Sequence, residues 1–384
     1  MTPGARYQAA IEVLDAVASG MPAEQALTRW ARKSRFAGSR DRAAVRDHVF
    51  DVVRCRRTCA ALGGGHSGRA LVLGMLRDAG IDPATVFDGQ GYGPSSLTSD
   101  EETFDPELAP NDSWDLPDWL CDRLQASHGA AAREIARALR SRAPVFIRAN
   151  LAKAARSEVA TLLHQEGIET TEHHMSKSAL RVVEGARRIS GSTAFTKGLI
   201  ELQDAASQAV SDLVPLAENI KVLDYCAGGG GKSLALAARR PSIKITAHDF
   251  DPRRMTDLPA RARRAGAEIS VQTKVHGAFD VVLCDVPCSG SGAWRRSPEG
   301  KWVLSPQRLS DLCRTQAEIL DTCAQRCRPQ GHLVYVTCSM LNEENADQIA
   351  AFTARHDGWR CQMSRQFLPQ DGGDGFFIAL LVSS

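Results

Sequence analysis

The chain has 384 residues, 43% hydrophobic and 24% charged, with a formal net charge of +2, which describes a globular protein of two or three compact units with no overall charge that would by itself hold a polyanion. No apolar run approaches a bilayer crossing, and the opening "MTPGARYQAAIEV" lacks the apolar segment of a secretory signal, so no membrane association is expected. Eleven cysteines in no zinc-knuckle spacing then point to a cytoplasmic protein with reduced thiols and no metal centre.

The first segments, "ARYQAAIEVLDAVASGMPAEQALTRWARKS" and "DRAAVRDHVFDVVRCRRTCAAL", carry Ala, Ile, Leu and Val at helical spacing, Val45, Val49, Val52 and Val53 among them. Residues 1–85 therefore read as a helical module. Its first 60 residues hold eleven Arg or Lys against six Asp or Glu, a local excess that fits either a phosphate-facing surface or a solvated helix face. Next, "FDGQGYGPSSLTSDEETFDPELAPNDS" is rich in Gly, Pro, Ser and Asp, as an exposed loop is. With the helix predicted in "DLPDWLCDRLQASHGAAAREIARAL", where Pro117 suits a first turn, it makes a loop and helical linker over 86–135. "PVFIRANLAK" opens short strand and helix signals that define a small α+β unit over 136–210.

From 211 to 384 the rhythm changes. "IKVLDYC", "IKITAHD", "FDVVLCDVP" and "GHLVYVTCS" are short apolar runs closing on polar residues, with helical patterns such as "KSLALAARR" between them. Strands alternating with helices predict an α/β fold with a mainly parallel, doubly wound, Rossmann-like sheet, whose ligands sit beyond the carboxyl ends of the strands. Cys226, Asp249, Asp285 and Cys338 all fall at such ends.

"VLDYCAGGGGKS" sets four glycines between a strand and a helix, where backbone can approach a ligand at a helix N-terminus. A phosphate loop would need glycine at position 226, which is Cys, so an adenosine-type cofactor suits the loop better. Asp249, ending "TAHD", can accept both hydroxyls of a ribose; this pair alone leaves NAD and S-adenosylmethionine both open. Lys232, at the helix start, suits a cofactor carboxylate or solvent about equally. "FDVVLCDVPCSGSGAWRRSPEGKW" places Asp285, Pro287 and Cys288 at a strand end, then a Ser/Gly loop, then Arg295 and Arg296 near Trp294 and Trp302. Basic residues interleaved with aromatics suit phosphates and bases, and Asp285 can bond the amino edge of a base. In "VYVTCSMLNEEN", Cys338 fits a packed small residue or a presented nucleophile. Asn342 reads as a helix N-cap, which accounts for Glu343 and Glu344 through the helix dipole. Cys313, Cys323 and Cys327 read as core positions of one helix, and His248 as a structural neighbour of Asp249.

Together, "CAGGGGKS", "DVPCSGSGAWRRSPEGKW" and "VTCSMLNEEN" resemble the RNA cytosine-C5 methyltransferases of the Sun/RsmB family, over roughly 140–384, with "RAN" (148–150), Lys153 and "GLIELQDAASQAV" as further landmarks. Residues 1 to about 80 resemble, more loosely, the NusB-type helical RNA-binding module that precedes the catalytic part in bacterial members. The resemblance implies a class I S-adenosyl-L-methionine-dependent enzyme acting as a monomer on RNA, 16S ribosomal RNA foremost. Transfer RNA, or an impaired RNA-binding or assembly factor of the same fold, are the alternatives. It implies Cys338 as nucleophile toward cytosine C6, Cys288 in product release and Asp285 in base positioning and cofactor contact. It also implies cofactor contacts at Cys226, Ala227, Gly228, Gly229, Gly230, Gly231, Lys232 and Asp249. Arg148, Arg295, Arg296 and Lys301 become RNA-binding candidates. Two departures stand out: Gly228 and Gly229 replace the family's Ala-Pro, which loosens the loop, and "AEISVQTKVHGAFD" has no acid between Glu268 and Asp280, where the family carries one near the adenine.

Overall fold

The helical spacing of the first eighty residues becomes five helices in the computed structural model, which describes residues 1–383. They are α1 (Pro3–Ala18), α2 (Ala23–Lys33), α3 (Ser39–Arg54), α4 (Arg56–Gly63) and α5 (Gly68–Asp78). Thr2 and Ser67 accept from the N–H groups of Ala5 and Ala70 and so cap the starts of α1 and α5, as short hydroxyl side chains do. Leu14, Val45, Val49, Val52, Leu73 and Leu76 form the buried core. A Cβ on Gly74 would stand 1.8 Å from the Cys59 carbonyl oxygen, so α4 and α5 cross at backbone contact and only glycine fits there.

Two units divide the chain: Met1–Arg142 with Trp294–Val303, and Ala143–Ala293 with Leu304–Ser384. Residues 86–135 are thus not a linker. Val86 and Phe87 enter the helical core, and Trp114, Leu116, Leu120 and Leu124 are buried. Arg69 forks onto Glu101 through Nε and Nη2, both at 2.7 Å, and this pairing holds the Glu101 carboxyl at about 2. Asp115, fully buried at a left-handed φ of 50°, accepts from the Thr58 N–H and hydroxyl and pairs with Arg140. Isolated anchors in a Gly/Pro-rich stretch have no periodicity, which is why the segment resembles an exposed loop in composition.

The segment Trp294–Val303 closes the carboxyl end of α3. Lys301 Nζ donates to the Arg54 carbonyl (2.7 Å), Trp302 Nε1 to the Val53 carbonyl (2.8 Å), and Arg54 Nε donates back to the Arg295 carbonyl (3.1 Å). These bonds satisfy carbonyls that a helix end leaves without intrahelical partners.

The second unit contains two sheets. A small one has the order β2-β3-β1-β4, all antiparallel, from β1 (Val145–Ala149), β2 (Thr170–Glu172), β3 (Ala179–Val182) and β4 (Ile200–Leu202). The large one has the order β10-β11-β9-β8-β5-β6-β7, from β5 (Lys221–Asp224), β6 (Lys244–Ala247), β7 (Ile269–Val271), β8 (Phe279–Asp285), β9 (Cys327–Thr337), β10 (Trp359–Phe367) and β11 (Phe376–Ser383). Its pairings from β7 to β9 are parallel, and β11 and β10 add antiparallel partners. Val281, Val282, Leu283 and Cys284 are successive and all buried, so both faces of β8 are covered, as a parallel sheet requires. Cys327 opens β9 rather than extending the helix Pro306–Ala324 that carries Cys313 and Cys323. The chain turns from building toward β6 and β7 to building toward β8 and β9 between β5 and β8, which makes their carboxyl ends the ligand crevice.

Candidate active site

The register of the sheet assembles the site. Asp224 on β5 lies opposite Leu283 on β8, and Asp285 on β8 lies opposite Val336 on β9. Three strand-end loops therefore leave side by side: Tyr225–Gly231, Val286–Gly292 and Cys338–Leu341.

In the first loop, the N–H of Ala227 donates to the His248 carbonyl and that of Gly230 to the Ala227 carbonyl, both at 2.8 Å. Gly228 N–H donates to Asp249 Oδ2 at 2.9 Å. Gly228 and Gly230 have φ of +51° and +77°, and a Cβ on Gly230 would lie 2.1 Å from a Leu258 methyl, so the loop needs glycine at both positions. Those bonds also tie down the stretch in which Gly228 and Gly229 replace Ala-Pro. Below it, Asp224 is buried, with Oδ2 accepting from Ser233 at 2.6 Å and Oδ1 without a partner among the described residues. Burial lifts its carboxyl to about 6.

Asp249 is buried as well. Its Oδ1 accepts the Asp251 N–H at 3.0 Å, and Arg254 pairs with Oδ2 at 3.2 Å. Two backbone donors occupy half of the roughly four lone-pair sites of a carboxylate, and the exposed Arg254 holds the outer side. His248 Nδ1–H donates to the Tyr225 carbonyl (2.9 Å), and the imidazole stacks on the Tyr225 ring. Lys232 is buried, and its Nζ meets Asp285 Oδ2 at 2.5 Å. It is neither solvated nor a lone cation at a helix start: it fixes the carboxylate of Asp285 at the β8 end.

The two cysteines meet at the β8 and β9 ends. Their Sγ atoms are 3.4 Å apart. The Cys288 thiol is pushed well above its ordinary value, first by its hydrogen bond with Cys338 and then by burial. Glu344 holds the two loops together. It is fully buried, and its carboxylate accepts from the Ser289 N–H (2.7 Å), the Ser289 and Ser339 hydroxyls and Gln316 Nε2 (3.0 Å). Gln316 also donates to the Pro287 carbonyl (3.0 Å), and Met340 N–H donates to Ser291 Oγ (2.8 Å). The helix-cap account of Glu344 is therefore replaced. The helix Ala346–Arg355 starts after Asn345, not Asn342, and Asn345 Nδ2 donates to the Ser339 carbonyl (2.9 Å) while its Oδ1 accepts from Thr337. Sequence reasoning misses Glu344 and Gln316; the polar pair "EN" a few residues past the end of an apolar strand is the available signal.

Of the RNA-binding candidates, three are buried. Arg148 donates to the Gly231 carbonyl (2.8 Å) and to Gln203, with its guanidinium lowered to about 10 by burial; it props the start of the helix Gly231–Arg239. Lys301 caps α3, and burial lowers its amine to about 8. Arg295 is buried on the same segment. Burial removes all three from any phosphate-facing surface, whereas Arg296 is exposed.

Residues 212–382 match the family described as 16S rRNA methyltransferase RsmB/F, and residues 116–188 match the RsmF/B-like ferredoxin-like domain. A ribosomal RNA small subunit methyltransferase B from Photorhabdus laumondii is 32% identical over 283 residues, 69% of this chain and 66% of that protein. The chain spans about two thirds of the length of the curated relatives it matches. Among solved structures, PH0851 superposes with a TM-score of 0.77 at 22% identity, covering 99% of each chain. A methyltransferase homolog protein from Pyrococcus horikoshii gives 0.63 at 22% identity, covering 72% of this chain and all 100% of that one. These likenesses are of fold, and the fold is that of class I methyltransferases.

Proposed function

The chain belongs to the RsmB/F family of RNA methyltransferases, and from that premise we propose that it transfers a methyl group from S-adenosyl-L-methionine to C5 of a cytosine in RNA, with 16S ribosomal RNA as the favoured substrate, through a covalent adduct at C6. The observation that carries the reading is the pair of cysteine sulfurs 3.4 Å apart at adjacent strand ends, beside a strand-end carboxylate fixed by a buried lysine.

The cofactor fits the residues present. The glycine loop exposes backbone at the start of a helix, Asp224 carries an orphaned buried oxygen, and Asp249 keeps two lone-pair positions for ribose hydroxyls once Arg254 swings out. Phe250, 97% exposed beside Asp249, offers an apolar face to the adenine. Gln272, whose N–H donates to the Ala247 carbonyl at 2.9 Å, stands at the β7 end, where it supplies a neutral amide in place of the family's acid. When bound, S-adenosylmethionine supplies an electrophilic methyl on a sulfonium.

Cytosine C5 is a poor nucleophile, so the thiolate of Cys338 adds to C6 and turns C5 into an enamine-like carbon that takes the methyl group. Asp285, oriented by Lys232, holds the amino edge of the base in this geometry. A base then removes the C5 proton, the C5–C6 double bond re-forms and the Cys338 thiolate leaves; Cys288, in contact with that sulfur, assists the release. The cytosine must leave its stack to expose C6. The helical unit, with its basic excess, is assigned the RNA-holding role of a NusB-type module. Bisulfite sequencing of 16S RNA incubated with the protein and S-adenosylmethionine tests the reading: protected cytosine with the parent and none with Cys338→Ala is expected, and equal protection by both would overturn it.

A further inference from the structure

The two sulfurs at the β8 and β9 ends stand 3.4 Å apart, and a disulfide needs about 2.05 Å. Closure is therefore a movement of about 1.4 Å, within the range of side-chain rotation and a slight yield of one loop. Room for that yield lies beside Cys288: the loop passes through Gly290 at a φ of +69°, where a Cβ would meet no atom within 4 Å. Cys338 is tied to the same loop, since its carbonyl accepts the Gly292 N–H at 2.9 Å. Glu344 bonds Ser289 and Ser339, the next residue on each loop, so the sulfurs are neighbours with no substrate between them. Most of the remaining thiols are placed differently. Cys55, Cys313, Cys327 and Cys361 each donate to a backbone carbonyl. Cys284 does so at Val334 and has Cys323 beside it, but both of these are fully buried. Cys288 and Cys338 are partly exposed, at the crevice where ligands enter, and oxidation follows exposure and thiolate character.

We propose that Cys288 and Cys338 form a reversible disulfide that switches methyl transfer off under oxidising conditions, with hydrogen peroxide as oxidant and a dithiol as reductant. The loss of activity rests on the catalytic reading above; the disulfide itself does not. In the resting pair the Cys288 thiol keeps its proton, held on by its contact with Cys338 and by burial, which leaves Cys338 as the sulfur that meets an electrophile. The Cys338 thiolate attacks one peroxide oxygen, the O–O bond breaks, and hydroxide departs, leaving a sulfenic acid on Cys338. The Cys288 sulfur then attacks the Cys338 sulfur, its proton passes to the departing hydroxyl, and water leaves. Two thiols and one peroxide thus give one disulfide and two waters. A dithiol restores both thiols by exchange and is itself oxidised to a disulfide. In the closed state Cys338 has no thiolate to add to C6, and its bond to Cys288 stops it from advancing to the irreversible sulfinic acid.

The test treats the full chain, without RNA, with a small excess of hydrogen peroxide, then alkylates the remaining thiols and maps them by tandem mass spectrometry. Two of the eleven thiols are expected to disappear, with a mass loss of two hydrogens and a cross-link joining Cys288 to Cys338. Methylation of 16S RNA is expected to fall to background and to return to the parent's rate once dithiothreitol is added. Cys288→Ser, which leaves no resolving thiol, is expected to carry added oxygens on Cys338 that dithiothreitol does not remove. Thermal melting before and after oxidation checks that the fold is kept. Cys288 and Cys338 recovered without a bond between them, whether as thiols, as separate oxidation products or cross-linked to other cysteines, would overturn the proposal. So would a fully cross-linked chain that methylates at the parent's rate. The catalytic reading fails separately: a fully reduced parent that methylates no RNA contradicts that reading, while the cross-link, read by mass alone, still decides the pairing.

Discussion

Glu344 accepts at least four hydrogen bonds from three different segments of the chain. Its removal therefore leaves buried N–H and O–H groups unpaired, each costing about 1–3 kcal/mol, and frees the Ser289 and Ser339 loops that set the separation of the two cysteines. Glu344→Gln keeps the size but replaces one acceptor oxygen with a donor facing other donors. That variant is expected to lose about 100-fold in methyl transfer, the usual consequence of misplacing reacting groups by about 1 Å, while calorimetry with S-adenosylmethionine gives the parent affinity. Loss of cofactor affinity in parallel with the rate would assign Glu344 a general structural role instead. At this scale the sequence is partly legible. Cys288, Cys338, Asp285 and Asp249 stand at strand ends because apolar runs close there, and a run's end can be read from composition. Glu344 and Gln316 are not legible, because one sits on a short turn and the other in mid-helix, and only the folded register brings them to the cysteine loops.

The element that changed most between sequence and structure is the stretch Trp294–Val303. Its Arg and Trp residues match a nucleic-acid surface by composition, yet Lys301 and Trp302 bond the last carbonyls of α3 and the Arg295 carbonyl accepts from Arg54. Composition does not separate a cation facing phosphate from one facing a helix carbonyl, since both partners present electron-rich oxygen. Lys301→Met is expected to destabilise the helical unit by about 1–3 kcal/mol in urea unfolding at neutral pH, from the orphaned Arg54 carbonyl. The linkage adds a pH signature. Burial lowers the folded-state amine of Lys301 from its ordinary 10.5 to about 8, so between those values the unfolded chain binds a proton that the folded chain does not. The parent's stability relative to the Met variant is thus expected to rise from about pH 8 to about pH 10.5, and that gain to be lost as pH falls back to about 8, below which the difference is flat. A difference independent of pH across that window would contradict this placement of the ammonium group. The strands from β5 onward are legible because buried parallel strands are short, apolar on both faces and bounded by polar ends. The segment 86–135 is not, because Phe87, Trp114 and Leu116 anchor it singly.

Across the whole molecule, the candidate residues for methyl transfer and the cationic stretch of residues 29–42 lie in different units. The sheet unit carries every candidate residue for methyl transfer together with the exposed Phe250, and the helical unit carries the cationic stretch together with the exposed Phe36 and Tyr92. The chain enters the helical unit a second time through Trp294–Val303, shortly after Cys288, so the loop that bears Cys288 is continuous in sequence with the cap of α3. Periodicity and composition place domain boundaries one after another along the chain and have no means of registering such a return.

The central claim is the covalent step, and the most direct measurement is mass spectrometry of the complex that Cys288→Ala forms with 16S RNA and S-adenosylmethionine, digested with protease and nuclease. The expected result is a denaturation-resistant adduct in which the peptide containing Val334–Asn345 carries a methylated cytidine nucleotide on Cys338, absent from the Cys288→Ala, Cys338→Ala double variant. An adduct that persists in the double variant, or that maps to another cysteine, would contradict the assignment.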